Sequence, residues 1–161
     1  DRLAETVSIL SLSDEDVVVN LQGDEPFVDF NDINAVASLL NDRKVDMATL
    51  YADLEFVDET DPNVVKIWSQ ADGKVVNFSR NEKKVLDNQL TRSQHIGIYA
   101  YRVKFLKEFI KWPQTKNEKK ESLEQLRWLD NGCEIKVGVT TFESMSVDTP
   151  EDILRIEAKM R

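Results

Sequence analysis

Apolar positions along the chain alternate between helical and strand spacing. Leu3, Val7 and Leu10 predict a helix over about residues 1–12. Val17, Val18, Val19 and Leu21 form a dense apolar run, which predicts a strand over about 16–22, buried and paired on both sides. Ile33, Val36, Ala37 and Leu40 share one face of a helix over about 30–41. A strand in "VDMATLYADL" follows, and "NVVKIWSQADGKVVNFSR" reads as two strands around an Asp72-Gly73 turn. Residues 81–93 are hydrophilic without an apolar period and read as a loop. "HIGIYAYR" alternates with period two, and "VKFLKEFIKW" carries Phe105, Leu106, Phe109 and Ile110 on a helical face stopped by Pro113. Leu123, Leu126 and Leu129 make "ESLEQLRWLDNG" a helix that ends at Asn131-Gly132. "EIKVGVTTF" alternates as a strand. Thr149-Pro150-Glu151-Asp152 then opens the last helix with a cap, a proline in the first turn and acid at its positive end. Strands interleaved with helices imply an α/β fold with a partly parallel sheet, where ligands gather at the carboxyl ends of strands.

Length and charge narrow the chemistry. The 161 residues fit a single domain without repeats or linkers. Thirty acidic against 21 basic residues give a net charge of −9, which argues against nucleic acid or an anionic membrane as the main partner and suits a divalent cation. The lone Cys133 excludes an intrachain disulfide, and no apolar run approaches the ~18 residues of a membrane span. A cytoplasmic chain is the expectation. "VVVNLQGDEPFV" passes directly from apolar strand to Asp24, Glu25 and Pro26, and a carboxylate at such a boundary needs a partner or a metal. In "SVDTPEDI", Thr149, Glu151 and Asp152 serve local helix capping, whereas Asp148 lies outside the cap. Two aspartates on separate loops, completed by water and phosphates, suit Mg²⁺; spacing alone leaves open whether Asp24 and Asp148 meet.

"VVVNLQGDEPFV", "DPNVVKIW", "NFSR", "QHIGIYAYR", "SLEQLRWL" and "VDTPEDI", in this order, resemble the 3-deoxy-manno-octulosonate (Kdo) cytidylyltransferases, the CMP-Kdo synthetases of lipopolysaccharide assembly. The similarity runs over nearly the whole chain. Gln-Gly-Asp-Glu-Pro at the strand end favours this family over the related acylneuraminate cytidylyltransferases. In the family a strand and a Gly/Arg/Lys-bearing loop that grips the CTP triphosphate precede the segment matching "DRLAE". The chain therefore resembles the C-terminal two thirds of the enzyme, a partial single domain over 1–161, N-terminally truncated. The expectation that goes with this is a polypeptide inactive by itself. "NFSRNEKKVLDNQLTRSQ" is charged where the family more often has an apolar Ile-Pro stretch.

The resemblance implies a Rossmann-like nucleotide-diphospho-sugar transferase fold, with a mostly parallel sheet and a small antiparallel subdomain. It implies that the anomeric hydroxyl of Kdo attacks the α-phosphorus of CTP, with Mg²⁺ on Asp24 and Asp148 and a homodimer as the working unit. Arg80, His95, Tyr99, Glu124 and Gln125 fall on positions expected to contact Kdo. Those residue types suit an acidic polyol, with Arg80, His95, Tyr99 and Gln125 as donors and Glu124 as acceptor. Taken singly, each has a plainer use: His95 at a strand edge, Tyr99 and Tyr101 in a core, Glu124 and Gln125 on the polar side of a helix, Lys66 as a solvated strand lysine. The Ile67-Trp68 strand and the "GIYAY" strand offer apolar-aromatic groups to a twin. Other readings are a cytidylyltransferase for 8-amino-Kdo or sialic acid, and a non-catalytic fragment that acts only in dimerisation.

Overall fold

A computed structural model describes residues 2–23, 28–53, 61–80, 89–140, 147 and 149–159. Helix α1 (Arg2–Ile9) leads to strand β1 (Val17–Asn20), helix α2 (Phe30–Ser38) with a 3-10 turn at Leu39–Asn41, and strand β2 (Met47–Ala52). The hairpin of β3 (Lys66–Ser69) and β4 (Val75–Ser79) precedes the long strand β5 (Thr91–Arg102). Helices α3 (Val103–Phe109), α4 (Lys116–Glu121) and α5 (Gln125–Asp130), strand β6 (Ile135–Val139) and helix α6 (Pro150–Lys159) complete the chain.

Alternation along the strands builds two cores. Ala48, Leu50, Ile96, Ile98 and Ala100 face α2, where Val36 and Leu40 meet them. Met47, Tyr99, Tyr101, Ile135 and Val137 face the other way, toward Val7 of α1, Leu106 and Phe109 of α3, and Leu126 and Trp128 of α5. This helix-on-both-faces arrangement is the α/β class expected from the sequence.

The sheet is mixed rather than mostly parallel. Its order is β4-β3-β5-β2-β6, with β1 also on β5; β2 and β6 run parallel, and β5 runs antiparallel to β1, β2 and β3. The 12-residue β5 dominates the pairing because it returns from the β3–β4 hairpin against all three neighbours. β1 and β3 pair with opposite halves of the same side of β5, at residues 99–102 and 91–94, so the two strands part near its middle. β1 is also more open than its apolar run predicts: Val17 is 39% and the following Leu21 45% exposed.

At the β3–β4 turn, Gly73 N–H donates to Gln70 O at 2.9 Å and Gln70 N–H to Lys74 O at 2.9 Å, with Gly73 at φ +83°. A Cβ there would lie 2.9 Å from Val137 O, so only glycine fits both the backbone angle and the close approach to β6. Of the predicted helix over 121–132, only Gln125–Asp130 (α5) is one element, and Glu121 is the last residue of α4, which the spacing does not predict. Ser122 adopts the left-handed conformation (φ 55°, ψ 44°) and ends α4, and α5 starts afresh at Gln125. The start of β5 also claims Thr91–Ser93 from the segment read as loop, while 81–88 lies outside the described residues. Ile67, Trp68, Ala100 and Tyr101 are buried within the chain itself, so neither strand offers the surface for a twin that the sequence suggested.

Candidate active site

A crevice of about 710 Å³ opens where β1 and β3 part along β5. The end of β1 supplies Asn20 and Gln22, the approach to β3 Asp61, Asn63 and Val65, and the end of β4 Arg80. β5 contributes Gln94, His95, Gly97, Tyr99 and Tyr101, and the α4–α5 corner Ser122, Glu124, Gln125 and Trp128. All five residues matched to sugar contacts, Arg80, His95, Tyr99, Glu124 and Gln125, therefore line one cavity. Asp24 and Asp148 lie outside the described residues; Gln22 and Thr149, close to them in sequence, line the same crevice.

Three segments lock Arg80. Its Nη1 donates to Pro62 O at 3.1 Å and Asn63 O at 3.3 Å, and its main-chain N–H donates to Glu121 Oε2 at 3.0 Å, which also accepts from Ser79 Oγ at 2.7 Å. Lys66 is 1% exposed rather than solvated, and its Nζ donates to Asp61 O at 2.7 Å and Arg80 O at 3.2 Å. A buried ammonium that binds both carbonyls ties the 61–65 loop to the end of β4.

Period-two alternation along β5 turns His95, Tyr99 and Tyr101 to the crevice face. Their rings continue from Phe78 through His95, Tyr99 and Tyr101 to Trp128, with centroids 5.3–5.9 Å apart at each step. The phenolic hydroxyls of Tyr99 and Tyr101 and the amide of Gln125 have no hydrogen-bond partner among the described residues, which leaves them free to bind a ligand. Burial raises the pKa of both tyrosines, and Glu124 adds to the rise, so both remain neutral donors. Burial lowers His95 to about 3, with the Arg80 charge pushing the same way, so the free protein holds a neutral imidazole. Its Nε2 lies 2.9 Å from Thr49 Oγ1.

The α4–α5 corner rests on a buried ion pair. Arg127 Nε donates to Glu118 Oε2 at 2.8 Å and Nη2 to Oε1, while the guanidinium stacks 4.3 Å over Phe109. Glu118 is also the third helical residue of a capping box, accepting from Thr115 N–H at 3.1 Å. This corner carries Glu124 and Gln125 to the cavity. Sequence reasoning missed Asn20, Asn63, Gln94 and Tyr101 as lining residues, although Asn20 stands at the strand end next to Gln22 and Asn63 within the quoted "DPNVVKIW" block.

The model of the Cytidylyltransferase family matches residues 1–137. 3-Deoxy-manno-octulosonate cytidylyltransferase 2 of Actinobacillus pleuropneumoniae serotype 5b is 42% identical, over 97% of this chain and 67% of its own length. The chain belongs to the 3-deoxy-manno-octulosonate cytidylyltransferase family. The 8-amino-3,8-dideoxy-manno-octulosonate cytidylyltransferase of Shewanella pealeana is 41% identical, over 99% of this chain and 67% of that protein. A solved structure of CMP:2-keto-3-deoxy-manno-octonic acid synthetase complexed with CTP superposes with a TM-score of 0.87 at 30% identity, covering 99% of this chain and 66% of that one. The chain spans about two thirds of the length of these cytidylyltransferases. No helix among the described residues is long and apolar enough to cross a membrane.

Proposed function

We propose that the protein acts in transfer of the CMP group from CTP to Kdo, giving CMP-Kdo and pyrophosphate for lipopolysaccharide assembly. The observation that carries this reading is the convergence of Arg80, His95, Tyr99, Glu124 and Gln125 on one crevice, in a chain of this family. A cavity of about 710 Å³ lined by neutral donors, the fixed cation of Arg80 and the carboxylate of Glu124 among its acidic groups suits an acidic polyol. The anomeric oxygen attacks the α-phosphorus and gives up its hydroxyl proton to water, the bond from that phosphorus to the bridging oxygen breaks, and pyrophosphate leaves with the electron pair. Positioning of the sugar by the crevice supplies the orientation that such a displacement needs.

Asp24 and Asp148 are the proposed Mg²⁺ ligands. Their oxygen chemistry suits the ion, and Gln22 and Thr149, two and one residues from them in sequence, line the crevice. When bound, Mg²⁺ neutralises phosphate charge and lowers the pKa of a coordinated hydroxyl. Among the described residues no group of three His, Cys, Asp or Glu side chains is placed to hold a metal. In the whole enzyme, Kdo-dependent release of pyrophosphate from CTP is the test, with 8-amino-Kdo and sialic acid as competing acceptors. Asp24→Asn is expected to lower turnover at least about a hundredfold while the fold persists. Turnover on sialic acid but not Kdo, or an unchanged Mg²⁺-dependent rate in the variant, overturns the assignment.

A second copy of the chain is the proposed partner. Exposed Ile9 and Leu10 at the end of α1 are apolar surface available to it in place of the buried strands. Sedimentation of the whole enzyme at micromolar concentration is expected to give a dimer, and a monomer alone rejects the proposal.

A further inference from the structure

Thr49 lies fully buried on β2, at the one irregularity in its pairing with β5. Thr49 opposes Tyr99, but the next residue, Leu50, opposes Ile96, so Gly97 and Ile98 bulge out of the ladder. Thr49 Oγ1 meets three groups at this bulge: Ile98 O at 2.8 Å, Ile96 O at 3.1 Å and His95 Nε2 at 2.9 Å.

A threonine hydroxyl has one proton, and the two carbonyls can only accept it. The proton therefore goes to a carbonyl, and Oγ1 turns a lone pair to the ring. Nε2 must then carry the imidazole proton. The opposite choice would aim the hydroxyl at a bare Nε2 and leave its lone pairs facing two carbonyl oxygens with no proton between them.

A neutral ring protonated at Nε2 has a bare Nδ1. This atom has no partner among the described residues and remains open to solvent, on a side chain that lines the crevice. The groups around the ring are Phe78 and Arg80 from the β4 end, Thr49 from β2, Tyr99 from β5, and Glu124 near Tyr99 at the start of α5. Burial and the Arg80 charge disfavour a second ring proton. The sequence suggested His95 as a donor; the geometry gives it the opposite polarity.

We propose that Thr49 is a positioning residue that fixes the tautomer of His95 and makes its Nδ1 a hydrogen-bond acceptor for a hydroxyl of the bound sugar acid. A carboxylate has no proton for this atom and is turned away from it, so the sugar enters with a hydroxyl edge toward the middle of β5. This orientation rests on the crevice being the sugar site, whereas the tautomer does not.

His95 is the only histidine among the 161 residues, so nitrogen-15 labelling of histidine gives one ring to observe. Two-bond proton–nitrogen correlation spectra of the free chain are expected to show a protonated Nε2 and a bare Nδ1, unchanged between about pH 5.5 and 8. A proton on Nδ1, or an imidazolium near pH 6, overturns the proposal whatever the substrate. In the whole enzyme, Thr49→Val is expected to raise the KM for the sugar about tenfold, with kcat and the KM for CTP within about twofold of wild type. Thr49→Ser keeps the hydroxyl and is expected to restore both the tautomer and the KM. An equal KM defect in the serine variant, or none in the valine variant, overturns the role of Thr49. If the valine variant does not fold, the spectrum of wild type and the serine variant still decide. Failure of the unsubstituted enzyme on every acid sugar would instead overturn the functional reading and leave the tautomer standing.

Discussion

Arg127→Met is expected to destabilise the fold by about 3–5 kcal/mol, measured by chemical denaturation. The substitution leaves the Glu118 carboxylate buried without its bidentate partner and removes the cation stacked on Phe109. Substituting both members, Glu118→Gln with Arg127→Met, is expected to recover part of this loss, because a large share of it is the penalty of the orphaned charge. Arg127 holds the Glu118 carboxyl below its usual range, with the Thr115 N–H acting in the same direction against burial. A pKa lowered by folding contributes stability above the unfolded value, about 4.3 for glutamate, and that contribution disappears as pH falls through the folded value. Wild type is therefore expected to lose stability below about pH 4 more steeply than the double variant. A change below about 1 kcal/mol in Arg127→Met rejects the pair as the support of this corner.

The same corner shows what the sequence could and could not reveal. Thr115 and Glu118 spell a capping box in plain sight, yet "KNEKKE" has no apolar residue and so no helical period. α4 is held by its cap and by Arg127, a contact nine residues away that periodicity does not report. The break at Ser122 was hidden for a related reason. The leucine spacing begins only at Leu123, beyond the break, so it reports α5 and says nothing of the turn at 122–124 that ends α4.

Along β5 the outcome is reversed. Period two assigns His95, Tyr99 and Tyr101 to one face and Ile96, Ile98 and Ala100 to the other, as the two cores confirm. The bulge at Gly97-Ile98 escapes this pattern because skipping two residues leaves the alternation intact. Thr49 is then an ordinary strand threonine until its three oxygen and nitrogen neighbours are seen together. Lys66 misleads in the same way. A lysine within "VVKIW" reads as solvated, but in the fold its ammonium is buried and donates to the Asp61 and Arg80 carbonyls, which sequence spacing does not report. The five positions matched to sugar contacts were legible only through the family's ordered motifs, since each residue has a dull structural use and their meeting point depends on how β1 and β3 divide one strand.

Glu124→Ala is expected to affect binding and not folding, the reverse of Arg127→Met. Glu124 precedes α5 without capping it, and its side chain is 64% exposed, with only a 4.0 Å approach to Arg127. An exposed pair at that distance contributes little to stability, so the unfolding midpoint of the variant is expected to match wild type closely. In the crevice the same carboxylate is an open acceptor near Tyr99 and Gln125, and under the proposed function it takes hydrogen bonds from two sugar hydroxyls. A charge-assisted hydrogen bond lost from a partly enclosed site amounts to about 1.5–3 kcal/mol, so the KM for Kdo is expected to rise about 10- to 100-fold. The KM for CTP is expected to stay within about twofold, because uniform loss of sugar binding leaves the nucleotide untouched. Glu124→Gln keeps one acceptor oxygen without the charge and should fall between the two. A variant whose CTP KM rises while that for Kdo is unchanged would assign Glu124 to the nucleotide, and with it the α5 end of the crevice.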